Sequence, residues 1–262
     1  MGSTELPGLT GLLDGKVVLV NGGSQGVGAA IVRAAVREGA VVSFTGRRAD
    51  VGEKLAADTG ADFLRADLAD PARARDSVVR TVEAHGRIDC LVNAAGLTSR
   101  GSLLDTTPEL FDQHMAINLK APFFAMQAAV TDMVAREAPG TIVNIGSNCA
   151  HGGPPYLAPY SAAKAGLAGL TRNAAHAHRF DRIRINTLNI GWTDTEGEDA
   201  TQRAFHGAGD DWREQAARSQ PMGKLGQPDE IADFVVFLLS ERSGVVTGSV
   251  IDWDQNVLGA LD

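Results

Sequence analysis

Residues 16–39 restrict the fold more than any other stretch of the chain. A valine-rich apolar run, residues 16–20, passes directly into Asn21-Gly22-Gly23-Ser24-Gln25-Gly26-Val27-Gly28, then into an Ala-rich helical pattern ending at Gly39. A strand that turns on glycines straight into a helix brings backbone N–H groups and the helix N-terminus to one point, which suits a pyrophosphate. The glycines permit the tight turn and the close approach that a Cβ would block. An ordinary strand–helix turn has the same spacing; the position right after the first strand favours a dinucleotide. Gly22, Ser24, Gln25, Gly26, Val27 and Gly28 are therefore candidate cofactor contacts.

The rest of the chain repeats this alternation. Strands are expected at 40–45, 61–66, 88–93, 141–145, 183–188 and 249–251. Helices are expected at 51–59, 71–85, 108–137, from Tyr160 onward and at 228–239. Alternating elements without a linker or repeat predict an α/β fold: a doubly wound parallel sheet in a single domain over residues 1–262. Residues 196–220 are polar and read as the longest irregular segment, anchored by Phe205 and Trp212; a helical/loop lid near residues 192–220 is expected.

The charge balance narrows the partners. Against 32 acidic residues stand 24 basic ones, for a net charge of −8, with no basic cluster, so nucleic acid and anionic membranes are disfavoured. No apolar run is long enough to span a bilayer, and the first fifteen residues lack a signal peptide's basic-then-apolar order. Two cysteines, Cys90 and Cys149, make no disulfide framework and suit a reducing cytoplasm. No metal is expected.

The chemistry concentrates in residues 141–170. Ser147 stands at the end of a β-branched run, and after a Gly/Pro-rich loop Tyr160 and Lys164 lie four apart, on one face of a helix. A strand-end hydroxyl opposite a tyrosine with a lysine beside it suits carbonyl chemistry. At the end of the second strand Arg47 and Arg48 precede the first carboxylate, Asp50. An arginine there pairs with a 2′-phosphate where a carboxylate would take a 2′-hydroxyl, so NADP is preferred over NAD. Asp67 and Leu68 lie where an adenine could meet a side chain and a backbone N–H. Asn93-Ala94-Ala95-Gly96 offers small residues at a strand end, and Asn118 is a polar residue inside a helical pattern.

Together these residues resemble the short-chain dehydrogenase/reductase family, in its compact single-domain subgroup, over roughly residues 13–252. Gly22, Gly26 and Gly28 match its glycine turn, Asp67 its adenine-side acid, and Asn93-Ala94-Ala95-Gly96 its Asn-Asn-Ala-Gly stretch. Asn118, Ser147, Tyr160 and Lys164 match its catalytic set, with the thirteen-residue Ser-to-Tyr spacing. Asn21 replaces the usual Thr, Ala94 the second Asn and Ile190 the proline before Gly191. Asp252-Trp253-Asp254 replaces the C-terminal Asp-Gly-Gly, so the tail is expected to pack differently, with a subunit contact as one option.

The resemblance implies an NAD(P)-dependent oxidoreductase, with Gly191, Thr193 and Thr195 near the nicotinamide, Lys164 on its ribose and Asn118 supporting a proton relay. It also implies a homotetramer. Tyrosine, with an ordinary pKa of about 10, becomes a useful acid/base near neutrality if Lys164 and an oxidised nicotinamide lower it; a pKa of about 7–8 requires about 3–4 kcal/mol. The polar loop and lid, read as acidic without basic partners, point to a neutral secondary alcohol or ketone: a polyol, sugar or alicyclic ring. Cys149 and His151 flank the site. A catalytically silent dinucleotide sensor is the alternative; a nucleotide-sugar epimerase would need more chain after Asn186.

Overall fold

The computed structural model describes residues 11–258; what was expected of residues 1–10 lies outside the described residues. One sheet takes up β1 (Val17–Asn21), β2 (Val41–Gly46), β3 (Asp62–Arg65), β4 (Cys90–Asn93), β5 (Gly140–Ser147), β6 (Ile183–Ile190) and β7 (Val250–Trp253). Its order is β3-β2-β1-β4-β5-β6-β7, with every neighbouring pair parallel. The central strands β1, β4 and β5 are buried throughout, as expected of near-continuous apolar runs covered on both faces.

Helices cover both faces. On one side α1 (Gly26–Arg37), α2 (Ala49–Thr59) and α9 (Pro228–Leu239) pack their apolar stripes around Val18, Val20, Phe44 and Leu188. On the other, α3 (Pro71–His85), α5 (Ala121–Ala135) and the C-terminal half of α6 (Ala158–His178) cover Leu19, Leu91, Ile142 and Ile185. A short helix, α4 (Pro108–Met115), lies against α6. Asp70 caps α3 and Thr107 caps α4, each followed by a proline that has no N–H to leave unpaired.

A row of polar residues crosses the apolar sheet. Asn21 Nδ2 donates to Asn93 Oδ1 (3.4 Å), Asn93 Nδ2 to Asn144 Oδ1 (2.8 Å), and Asn144 Nδ2 to Thr171 Oγ1 (2.9 Å), which meets Thr187 Oγ1 at 2.7 Å. Each amide is buried, and leaving one unpaired there costs about 1–3 kcal/mol, so the row ties β1, β4, β5, β6 and α6 into one register. Asn93 belongs to this row.

Strand order decides where a ligand fits. From β1 the chain winds outward through β2 and β3; from β4 it winds the opposite way. The two directions part between β1 and β4, opening a crevice beyond their C-terminal ends.

Two expectations about elements need correction. The pattern at 108–137 is not one helix: α4 and α5 are separated by a π-helical turn, Ala116–Lys120, with Asn118 inside it. Residues 196–220 are not irregular: they hold α7 (Glu196–His206) and α8 (Trp212–Arg218). Trp212 is buried and anchors α8, whereas Phe205 is 54% exposed. Among the described residues no helix is long and apolar enough to cross a membrane.

Candidate active site

The crevice holds a cleft of about 1240 Å³, enough for a dinucleotide and a small substrate together. Of the expected contacts, Gly22, Ser24, Gln25, Gly26, Val27, Gly28, Arg47, Asp67, Leu68, Gly96, Gly191, Thr193 and Thr195 line it, as do Ser147, Tyr160 and Lys164. Asn93 and Asn118 do not; each is buried behind the wall.

The glycine turn fits a pyrophosphate. A Cβ on Gly22 would lie 2.5 Å from the Ala95 backbone, and one on Gly28 only 2.1 Å from the Gly22 carbonyl oxygen. Gly22 also has φ +80°, and its N–H donates to Thr45 Oγ1 at 2.9 Å. Helix α1 begins without a side-chain cap and without an acidic residue in its first turn, so its leading N–H groups and positive dipole end face the cleft unshielded. At the adenosine end Arg48 Nη2 donates to Gln25 Oε1 (2.9 Å), and Arg65 Nε donates to the Arg47 carbonyl (3.2 Å). Three guanidinium groups gather there, and no carboxylate stands at the end of β2.

At the other end, β5 delivers Ser147 and α6 delivers Tyr160 and Lys164. The Lys164 ammonium is buried, donates to the Ile145 carbonyl (2.7 Å) and lies 5.6 Å from the centre of the Tyr160 ring. Burial pulls its pKa down to about 8. Tyr160 behaves differently from the sequence-based expectation. Burial pushes its phenol above the ordinary value, opposed by a hydrogen bond from Ser147 and by the charge of Arg100, not by Lys164. Desolvation of the phenolate outweighs the nearby charges in the protein alone.

Asn118 is fixed from three directions. The Leu97 N–H donates to its Oδ1 and its Nδ2 donates to the Leu97 carbonyl, both at 3.0 Å; Nδ2 also donates to His114 Nδ1 (3.3 Å). His114 in turn donates from Nε2 to the Ser99 carbonyl (3.0 Å), which sets its tautomer, and burial lowers its pKa, favouring the neutral ring. The His114 ring meets Tyr160 edge-on, with centroids 6.2 Å apart. Sequence reasoning missed His114, because an isolated histidine on a helix carries no signal.

It also missed the support behind Ser147. The Ser147 N–H donates to Asn189 Oδ1 (3.1 Å), and Asn189 Nδ2 donates to Asp252 Oδ1 (2.9 Å), which also accepts from His151 Nε2 (2.8 Å). His151 therefore braces the serine loop against β7 from a position outside the cleft wall. The tail packs within the protomer: Asp254 is buried and covers Gly191, where a Cβ would come within 2.8 Å of Asp254 Cβ.

The lid carboxylates are not without basic partners, as the sequence suggested. Asp199 pairs with Arg203 (2.9 Å) and Arg213 (2.8 Å), Asp194 with Arg213 (2.8 Å) and Asp210 with Arg203 (3.0 Å). Hydrogen bonds from Trp212 and Arg203 hold the Asp199 carboxyl down at about 2. Seven acidic residues against three arginines over residues 192–220 still leave the lid net negative, and Glu196, Glu198 and Asp211 have no ion pair among the described residues. Arg100, which sequence reasoning passed over, lines the cleft near Ser147 and Tyr160.

Comparison with known proteins agrees with this geometry. Residues 22–255 match a family model described as Enoyl-(Acyl carrier protein) reductase. The chain is 34% identical to a 2-(S)-hydroxypropyl-CoM dehydrogenase of Xanthobacter autotrophicus, covering 92% of this chain and 96% of that protein. It is also 34% identical to an NADP-dependent (R)-specific alcohol dehydrogenase of Lentilactobacillus kefiri, with the same coverage. Among solved structures, a short-chain dehydrogenase/reductase from Serratia marcescens superposes with a TM-score of 0.82 at 34% identity, over 93% of this chain and 98% of that one.

Proposed function

Because this chain belongs to the short-chain dehydrogenase/reductase family, we propose that it transfers hydride between NADP(H) and a secondary alcohol or ketone, with Tyr160 as the acid/base. One observation carries the reading: Ser147, Tyr160 and Lys164 share the wall of a cleft whose far end is the glycine turn. When bound, the dinucleotide supplies the hydride acceptor or donor and, oxidised, a positively charged ring. Tyr160 gives a proton to the carbonyl oxygen in reduction and takes it from the alcohol in oxidation. Ser147 hydrogen-bonds the same oxygen and stabilises its developing charge. Lys164, charged below its pKa of about 8, holds the nicotinamide ribose. Asn118, held by Leu97 and His114, keeps the proton path from Lys164 in place.

The raised phenol pKa supports a division of labour. Desolvation keeps Tyr160 protonated and ready to donate, and a second positive charge beside Lys164 is what makes it a base. Arg47 and Arg48, with no competing carboxylate, support NADP over NAD. We read the chain as one cytoplasmic domain that forms a homotetramer, in keeping with a single sheet and two buried free cysteines.

Tyr160→Phe tests the reading. Turnover followed at 340 nm on an alcohol and ketone panel should fall by about 10²–10⁴-fold, the usual scale of general acid–base catalysis. Thermal stabilisation by NADP(H) should persist in the variant and exceed that by NAD(H) in the wild type. Retained turnover removes Tyr160 from the mechanism, and stronger stabilisation by NAD(H) reverses the cofactor assignment. Stabilisation by the dinucleotide without turnover of any compound favours the sensor.

A further inference from the structure

Arg100 reaches the substrate end of the cleft from the loop after β4. Its guanidinium carbon lies 5.2 Å from the centre of the Tyr156 ring and 5.7 Å from that of Phe205, and the side chain is half-buried. Nη1 donates to the Thr98 carbonyl (2.8 Å), while Nε and Nη2 donate to His206 Nε2 (3.2 and 2.9 Å). A guanidinium has five N–H groups. These contacts leave one on each Nη without a partner among the described residues.

Arg100 thus meets a backbone carbonyl and an imidazole nitrogen rather than a carboxylate. No ion pair of Arg100 occurs among the described residues, whereas Arg203 and Arg213 of the lid are each shared between two carboxylates. Glu198 is the acidic group on the same wall. Its Oε1 accepts from Trp192 Nε1 (2.8 Å) and Gln202 Nε2 (2.7 Å), which hold it on the lid.

We propose that Arg100 binds an anionic group of the substrate, and that this substrate is a keto acid or hydroxy acid whose carboxylate docks between Tyr156 and Phe205. The two remaining N–H groups match the two oxygens of a planar carboxylate. The two rings hold the guanidinium in place by cation–π contact. Glu198 disfavours a doubly charged phosphate more than a singly charged carboxylate. The inference rests on the oxidoreductase reading of the same cleft and narrows its substrate.

Matched ketones separate the two ideas. Levulinate and acetoacetate are each compared with their methyl esters, with NADPH as cofactor, in wild type, Arg100→Gln and Arg100→Lys. The wild type should favour acid over ester by about tenfold or more in kcat/KM, the scale of a lost charged hydrogen bond. Arg100→Gln should bring that ratio close to one, mainly through KM, and Arg100→Lys should leave it intermediate. A wild-type ratio of one or below, or equal losses on acid and ester in Arg100→Gln, overturns the proposal. Thermal stabilisation by levulinate with NADP⁺ present is measured alongside. A rise in Tm in wild type but not in Arg100→Gln supports the carboxylate site even if neither ketone turns over, and equal or absent rises overturn it. Absence of turnover on every ketone, neutral ones included, counts against the oxidoreductase reading instead.

Discussion

At the scale of single residues the site combines groups whose burial opposes their charge. Lys164 has a folded-state pKa of about 8 against an ordinary value near 10.5. Below about 8 it is protonated in both folded and unfolded chains, and the folded state bears the full cost of the buried ammonium. Between about 8 and 10.5 the unfolded chain binds more protons, so stability rises with pH through that window. The unfolding free energy of wild type relative to Lys164→Met should therefore climb by about 2–3 kcal/mol from pH 7 to 10.5. Chemical denaturation across that range checks it; a flat difference would mean that Lys164 titrates normally. At this scale the sequence was informative for Ser147, Tyr160 and Lys164, because their spacing reports a strand end and one helix face. Arg100 was silent, because its partners Tyr156, Phe205 and His206 lie far along the chain and meet it only through folding.

Among elements, the β1–α1 turn shows how little room the cofactor site leaves. Gly28 needs no unusual backbone angle; what excludes a side chain is the Gly22 carbonyl, 2.1 Å from where a Cβ would stand. Gly28→Ala must therefore open the turn or shift α1 against β1. The expected outcome is a loss of about 1–3 kcal/mol in stability. With it goes a larger loss of NADP(H) stabilisation than Tyr160→Phe causes; comparing the two variants by thermal shift checks the order. An unchanged response to the dinucleotide in Gly28→Ala would mean that the ligand does not use this turn. Helices α3 and α9 were legible to the residue, because a proline marks each start and an apolar period runs to each end. The break at Ala116–Lys120 was not, since the apolar pattern continues through it. Side-chain bonds between Asn118 and Leu97 accompany the π-helical turn, and these are tertiary. A helical/loop lid was expected, but the bounds of its helices were not legible for another reason: α7 has no buried residue and a mostly polar sequence, held by Thr195 at its N-terminus and by ion pairs along its face.

For the whole molecule, the strand order leaves β7 at one edge of the sheet, with β6 its only strand neighbour among the described residues. Just before it Val245 is 94% exposed and Val246 is on the surface. An open edge with apolar residues beside it is an association surface unless something covers it. The homotetramer reading predicts that sedimentation at micromolar concentration gives a tetramer and that Val245→Glu moves the distribution toward smaller species. A stable wild-type monomer would refute it. What the sequence determined alone was the class of fold and the class of chemistry: alternating periodicities specify strands and helices, a glycine turn after the first strand specifies where a pyrophosphate fits, and the Ser–Tyr–Lys spacing places three groups on one wall. All of these are local signals, carried by residues close together in the chain. Only the tertiary structure decided what surrounds that wall: the Asn21–Asn93–Asn144 row beneath it, Asn189 and Asp252 behind Ser147, and Arg100 among Tyr156, Phe205 and His206. Those contacts join residues tens to a hundred positions apart, and their energies depend on burial, which a linear pattern does not record.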